Sequence, residues 1–166
     1  MQLYYIQEKF SHGSLSRILY YGNNKFSLEF IQYTMYCIMK AVDVLHDRGC
    51  GLGDLTPQTI MLDEPSSSVK IVSIQGLRKI DKNATPDQKG QQLDQDYEKI
   101  IDIVTKLTTL IKSAHSESNV PEMVANFIKF CKEPYSPKFS KFSKCKNALN
   151  LEFLKNAESH KEIWRQ

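Results

Sequence analysis

The run Ala41-Val42-Asp43-Val44-Leu45-His46-Asp47-Arg48-Gly49-Cys50-Gly51-Leu52-Gly53-Asp54-Leu55-Thr56-Pro57-Gln58-Thr59-Ile60-Met61-Leu62, with Val69-Lys70-Ile71-Val72-Ser73-Ile74-Gln75-Gly76-Leu77 after it, decides the fold. Its chemistry reads as the end of a helix, a loop, a β-hairpin and a glycine turn. Gly49, Gly51 and Gly53 fall within five positions, so the loop can reach backbone angles closed to other residues. Ile60-Met61-Leu62 and Val69 to Val72 are short β-prone runs flanking Asp63-Glu64-Pro65-Ser66-Ser67-Ser68, the pattern of a hairpin.

Upstream, Leu28, Ile31, Met35, Ile38, Val42 and Leu45 recur at spacings of three and four, which predicts one long core helix capped by Ser27. Glu29 favours its N-terminus through the helix dipole. Ser14 is expected to cap a short helix through Tyr20, ended by Gly22-Asn23-Asn24. Leu3 to Gln7 has the composition of a short strand.

Downstream, the polar run from Lys79 to Gln92, with Asn83, Pro86 and Gly90, reads as a mobile loop. Tyr97, Ile100, Ile101, Val104, Leu107 and Ile111 predict a second long helix over 94–112. A loop over 113–119 precedes a third helix starting near Pro121 and stopped by Pro134 and Pro137. A last helix is expected over 147–163, using Leu151 and Leu154.

The chain of 166 residues suits a single domain, and 41% hydrophobic with 25% charged residues is ordinary for a globular protein. A net charge of +3 does not by itself argue for nucleic acid. No apolar run approaches the roughly 20 residues of a membrane span. Met1 to Glu8 lacks the basic start and apolar centre of a signal peptide. Cys37, Cys50, Cys131 and Cys145 form no CxxC pair, so reduced thiols in an intracellular protein, cytoplasmic or nuclear, are expected, with no zinc site.

This order of elements resembles the C-terminal lobe of a protein kinase. Leu52-Gly53-Asp54-Leu55-Thr56-Pro57-Gln58-Thr59-Ile60-Met61-Leu62 is similar to the family's H-R-D-L-K-P-x-N-I-x-L catalytic loop. Ser73-Ile74-Gln75-Gly76-Leu77 stands where the family has D-F-G. Residues 3–8 and the following Gly13-Ser14-Leu15 are similar to the hinge strand and its turn, with Gln7 at the gatekeeper position. Leu45-His46 resembles the end of the helix before the catalytic loop, and Asp96-Tyr97-Glu98 to Leu107 the helix that anchors the lobe. The resemblance implies a mainly α (α+β) fold over 1–166: a kinase-like C-lobe with a small hairpin, a degenerate catalytic loop at 52–62, a degenerate D-F-G segment at 73–77 and a helical subdomain over 94–163, without an N-lobe.

The departures from the family pattern point away from catalysis. Phosphoryl transfer needs magnesium and a lysine to neutralise phosphate charge. The metal-binding asparagine and aspartate positions are Thr59 and Ile74; isoleucine has no oxygen, and a hydroxyl is a poorer ligand for a hard cation than a carboxylate. Gln75 and Gly76 complete the altered triplet. Thr56 replaces the loop lysine and Gly53 the arginine. The glycine-rich loop and the strand lysine have no counterpart in the sequence. What the resemblance implies is a catalytically inactive pseudokinase that binds no cofactor or metal and serves as a scaffold. Its partner would be another protein, such as a kinase N-lobe or a second copy of itself, docking on an exposed strand edge or apolar patch.

Two other readings stand beside it. Asp54 could accept a proton in a divergent phosphotransferase, although a loop carboxylate bonded to backbone amides or Thr59 is the plainer role. Lys138-Phe139-Ser140-Lys141-Phe142-Ser143-Lys144-Cys145-Lys146 interleaves four lysines with two aromatics, a pattern that could track a phosphate backbone and stack bases, with Lys138, Phe139, Lys141, Phe142 and Lys144 as the interaction surface of an RNA-binding module. A basic surface loop is the plainer reading there too. His46 is expected to pack or cap the helix end rather than catalyse. Gly51-Leu52-Gly53 is no phosphate cradle, since a helix precedes it and a strand follows.

Overall fold

The computed structural model describes residues 9–21, 26–63, 68–72, 76–109, 120–134 and 144–165. Helices dominate, with two small antiparallel sheets. The strand expected over 3–8 lies outside the described residues.

The chain is built around α2, Leu28–Asp47; α1 is Leu15–Tyr21. Ser27 caps α2 as its sequence predicts, its hydroxyl accepting from the Phe30 amide at 3.2 Å. Ile31, Met35, Ile38 and Val42 are fully buried along one face. The helix ends at Arg48, and Gly49, with φ of 70°, takes the left-handed turn that releases the chain.

From that turn β2 (Cys50–Gly51) pairs antiparallel with β5 (Arg78–Lys79), in register Cys50↔Lys79. The hairpin forms where its β-prone runs place it: β3 (Ile60–Asp63) pairs with β4 (Ser68–Ile71), Ile60 opposite Ile71. On the other side of β3 lies β1, Gly13–Ser14. The loop between β2 and β3 is thus held at both ends by sheets.

The polar run after β5 does not stay a loop. The α3 helix is Pro86–Thr108, eight residues earlier than the apolar periodicity suggests (94 − 86). Thr85 and Gln88 form a reciprocal capping box, and Pro86 sits at the first turn. Local hydrogen bonding starts this helix before its buried stripe begins. Its expected stretch beyond Thr109, and the loop over 113–119, lie outside the described residues.

The α4 helix, Val120–Lys132, starts one residue before Pro121. The single helix expected over 147–163 is instead three pieces: α5 (Lys144–Leu149), turns from Leu151 to Asn156, and a 3-10 helix, Ala157–Arg165. Phe153 and Leu154 are buried within the turns, and Phe127 of α4 meets Phe153 with ring centroids 5.3 Å apart. Burying both on adjacent positions suits a turn better than one face of a continuing helix.

Candidate functional site

The loop from Gly49 to Thr59 is tied to α3 by a buried carboxylate. Asp96 is 0% exposed, immediately before Tyr97, where the apolar stripe of α3 begins. Its Oδ2 accepts from the Leu52 amide at 2.7 Å and from His46 Nε2 at 2.9 Å, and its Oδ1 accepts from Arg78 Nη2 at 2.9 Å. One side chain therefore joins the end of α2, the loop and β5. A carboxylate only accepts, so the His46 proton in this contact sits on Nε2. Burial by itself would raise the Asp96 pKa, but His46, the Leu52 amide and Arg78 together hold it below the usual carboxylate range.

Behind His46 lies Cys145, its Sγ 3.9 Å from His46 Nδ1 and 3.0 Å from the Tyr97 hydroxyl. Cysteine, histidine and aspartate thus follow one another as nucleophile, base and orienting acid do in thiol enzymes. The chemistry is missing. Cys145 is 0% exposed, and burial pushes its thiol up to about 12, leaving it protonated and out of reach of a substrate. The set is a packed core cluster, consistent with His46 as a packing residue. Its members come from positions 46, 96 and 145, and nothing in local spacing brings them together.

The loop's own residues are turned inward on one another. Thr59 Oγ1 accepts from the Thr56 amide at 3.0 Å and lies 3.0 Å from the Thr56 carbonyl and 3.3 Å from the Asp54 carbonyl, either of which its proton can reach. Its one oxygen is thus engaged in closing the loop. At Asp54 it is the backbone carbonyl that meets Thr59, and the residue is half-buried.

Gly53 and Gly76 meet backbone to backbone. A Cβ on Gly53 would fall 1.6 Å from the Gly76 carbonyl oxygen, so no larger residue fits without moving that strand of chain. Gly76 itself has φ of 89°, and a Cβ there would stand 3.1 Å from the Asp54 amide. The structure therefore brings Gly76 against Gly53 and Asp54. Ile74 and Gln75 lie outside the described residues.

No family model matches this chain, and no curated protein does either.

The basic, aromatic stretch divides. Lys138, Phe139, Lys141 and Phe142 lie outside the described residues. Lys144 is described and is not surface: it is 1% exposed. Its Nζ donates to Asp94 Oδ1 at 3.2 Å, to the Cys131 carbonyl at 2.9 Å and to the Glu133 carbonyl, and sits 4.1 Å from the Tyr97 ring centroid. The expected role of Lys144 in an interaction surface is corrected: an ammonium that caps the last carbonyls of α4 cannot also meet a phosphate. Lys146, by contrast, reaches Asp47 at 3.2 Å on the surface.

Among the described residues, no group of three or more His, Cys, Asp or Glu is placed to hold a metal ion, and no helix is long and apolar enough to cross a membrane.

Proposed function

We propose that this domain is a kinase-like C-lobe that has lost phosphoryl transfer and acts as a regulatory or scaffolding module that binds another protein. The observation that carries the proposal is the contact between Gly53 and Gly76. In the kinase resemblance these are the position of the catalytic-loop arginine and the glycine of D-F-G. Here the second fills the room the arginine side chain would need. The Thr59 hydroxyl, at the place of a metal-binding amide, is engaged by its own loop. A loop closed on itself in this way keeps a rigid shape and offers few free oxygens to magnesium and triphosphate.

The activity half of the proposal is tested by thermal shift with millimolar magnesium-nucleotide. A site with a dissociation constant about a hundredth of the nucleotide concentration stabilises the fold by about 2.7 kcal/mol, a shift of several degrees. No shift is the expected result. A shift that disappears in Asp54→Ala, together with phosphate transfer, would establish the phosphotransferase reading instead.

The binding half predicts a partner whose affinity survives Asp54→Ala but falls in Leu77→Glu, since Leu77 follows Gly76 and is 44% exposed. Sedimentation of the purified chain separates a second copy from another protein as that partner. A partner bound equally well by both variants would remove this loop mouth as the docking surface.

A further inference from the structure

His46 stands at the end of α2, where the chain turns into the glycine loop, and its side chain is 6% exposed. Nε2 donates to Asp96 Oδ2 at 2.9 Å, on the oxygen that also holds the Leu52 amide. Nδ1 lies 3.9 Å from Cys145 Sγ, and the Tyr97 ring stands edge-on with its centroid 6.0 Å away. Cys145 in turn meets the Tyr97 hydroxyl at 3.0 Å.

This line has room for two protons. Burial keeps one on the Tyr97 hydroxyl and one on the Cys145 thiol. They fill both gaps when Tyr97 donates to Cys145 and Cys145 donates to His46 Nδ1. A further proton on Nδ1 reverses the line. His46 then donates to the sulfur and the thiol to the Tyr97 oxygen, and the Tyr97 proton is left with no acceptor among the described residues. A buried donor left unanswered is costly.

The charges around the ring point the same way. Asp96 already has Arg78 of β5 at 2.9 Å, and Asp94 of α3 has Lys144 of α5 at 3.2 Å. Asp43, one turn back on α2, has Lys146 at 3.9 Å; Asp47 shares that lysine and is open to water. Cys131 of α4 is a buried thiol whose proton is held up to about 12. A second proton would therefore make His46 a buried cation without a counter-ion of its own.

We propose that His46 is an acid-sensitive joint: the fold admits this ring with its proton on Nε2 alone, so that a second proton weakens the junction of α2, the glycine loop and α5. The joint does not depend on whether the loop around Asp54 binds nucleotide or a partner. In an unfolded chain a histidine takes its second proton near about pH 6.5. Where the folded ring refuses it, the unfolded chain binds more protons, and stability falls as pH drops through that value. Asp96 is still ionised there, so this loss is separate from that of its carboxylate at lower pH.

The test uses the whole chain. Nitrogen-15 NMR at about pH 7.5 should show His46 with Nε2 protonated and Nδ1 bare. In urea unfolding, the unfolding constant of the wild type should rise about tenfold from about pH 7.5 to about pH 5.5. That rise should be missing from His46→Gln, which keeps His12, His115 and His160 and an amide able to donate to Asp96. Tyr97→Phe removes the proton that would be stranded, and should let the His46 ring titrate at a higher pH than in the wild type. A proton on Nδ1 at about pH 7.5 would overturn the proposal. So would equal pH slopes in wild type and His46→Gln, or a His46 titration that Tyr97→Phe leaves in place. Should His46→Gln fail to fold, the ring nitrogens and the Tyr97→Phe titration decide by themselves.

Discussion

The Leu52 amide donates to Asp96 Oδ2 over 2.7 Å, fastening the loop to a helix 44 residues away in sequence. The same carboxylate binds His46 and Arg78. Removing it leaves the Leu52 amide and His46 unanswered in a buried setting, while Arg78, a third exposed, keeps Gln95 and the Gln92 carbonyl. Asp96→Ala should cost about 3–5 kcal/mol in urea unfolding. A loss under about 1 kcal/mol would mean that water takes over the two buried donors.

Asp96 also sets an acid dependence. Its folded pKa lies below the ordinary 3.8, so its contribution is complete above that value and is lost as pH falls from there through the folded pKa. The stability gap between wild type and Asp96→Asn should therefore narrow below about pH 4. A gap that holds constant down to about pH 2 would show that the carboxylate is not the ionised acceptor.

Gly53→Ala places a methyl group where the Gly76 carbonyl stands. The φ of Gly53 is not positive, so the penalty comes from the contact and not from backbone strain. A destabilisation of about 1–3 kcal/mol is expected, typical of overpacking. Gly53→Arg, which puts in the arginine of the kinase pattern proposed above, should be worse and should not create nucleotide binding. Near-neutral behaviour of Gly53→Ala in thermal unfolding would show that the Gly76 segment yields freely.

Thr34 is buried in α2 at 0% exposure, and its hydroxyl finds no partner among the described residues. Thr34→Val keeps the branched shape and removes the unanswered group. Thermal unfolding should show a gain of about 1 kcal/mol. A loss would point to a buried water serving the hydroxyl.

Lys144 holds α5 against the end of α4. Lys144→Glu should therefore unfold the chain or cost at least about 3 kcal/mol, because it sets an anion against Asp94 and the α4 carbonyls. Circular dichroism reads this directly. A folded, stable Lys144→Glu protein would restore this lysine to the surface.

By itself the sequence determined the parts that rest on local pattern. The long α2 stripe, the Ser27 cap and the two β-prone runs each carry their instruction within a few residues, and all appear where expected. The early start of α3 was also written locally, in Thr85-Pro86-Asp87-Gln88. There the polar composition concealed it, because a capping box makes a helix before there is any apolar face to announce it.

Tertiary structure alone decided the rest. A run of lysines and phenylalanines reads as a surface, and only the carbonyls at the end of α4 and the ring of Tyr97 make a buried place for Lys144. His46, Asp96 and Cys145 meet across separations of 50 and 99 residues, which no periodicity encodes. The closing 3-10 helix likewise takes its form from the α2 surface beneath it. Hydrophobic spacing specifies which face of an element is buried, but which polar groups are buried with it depends on where the other elements end.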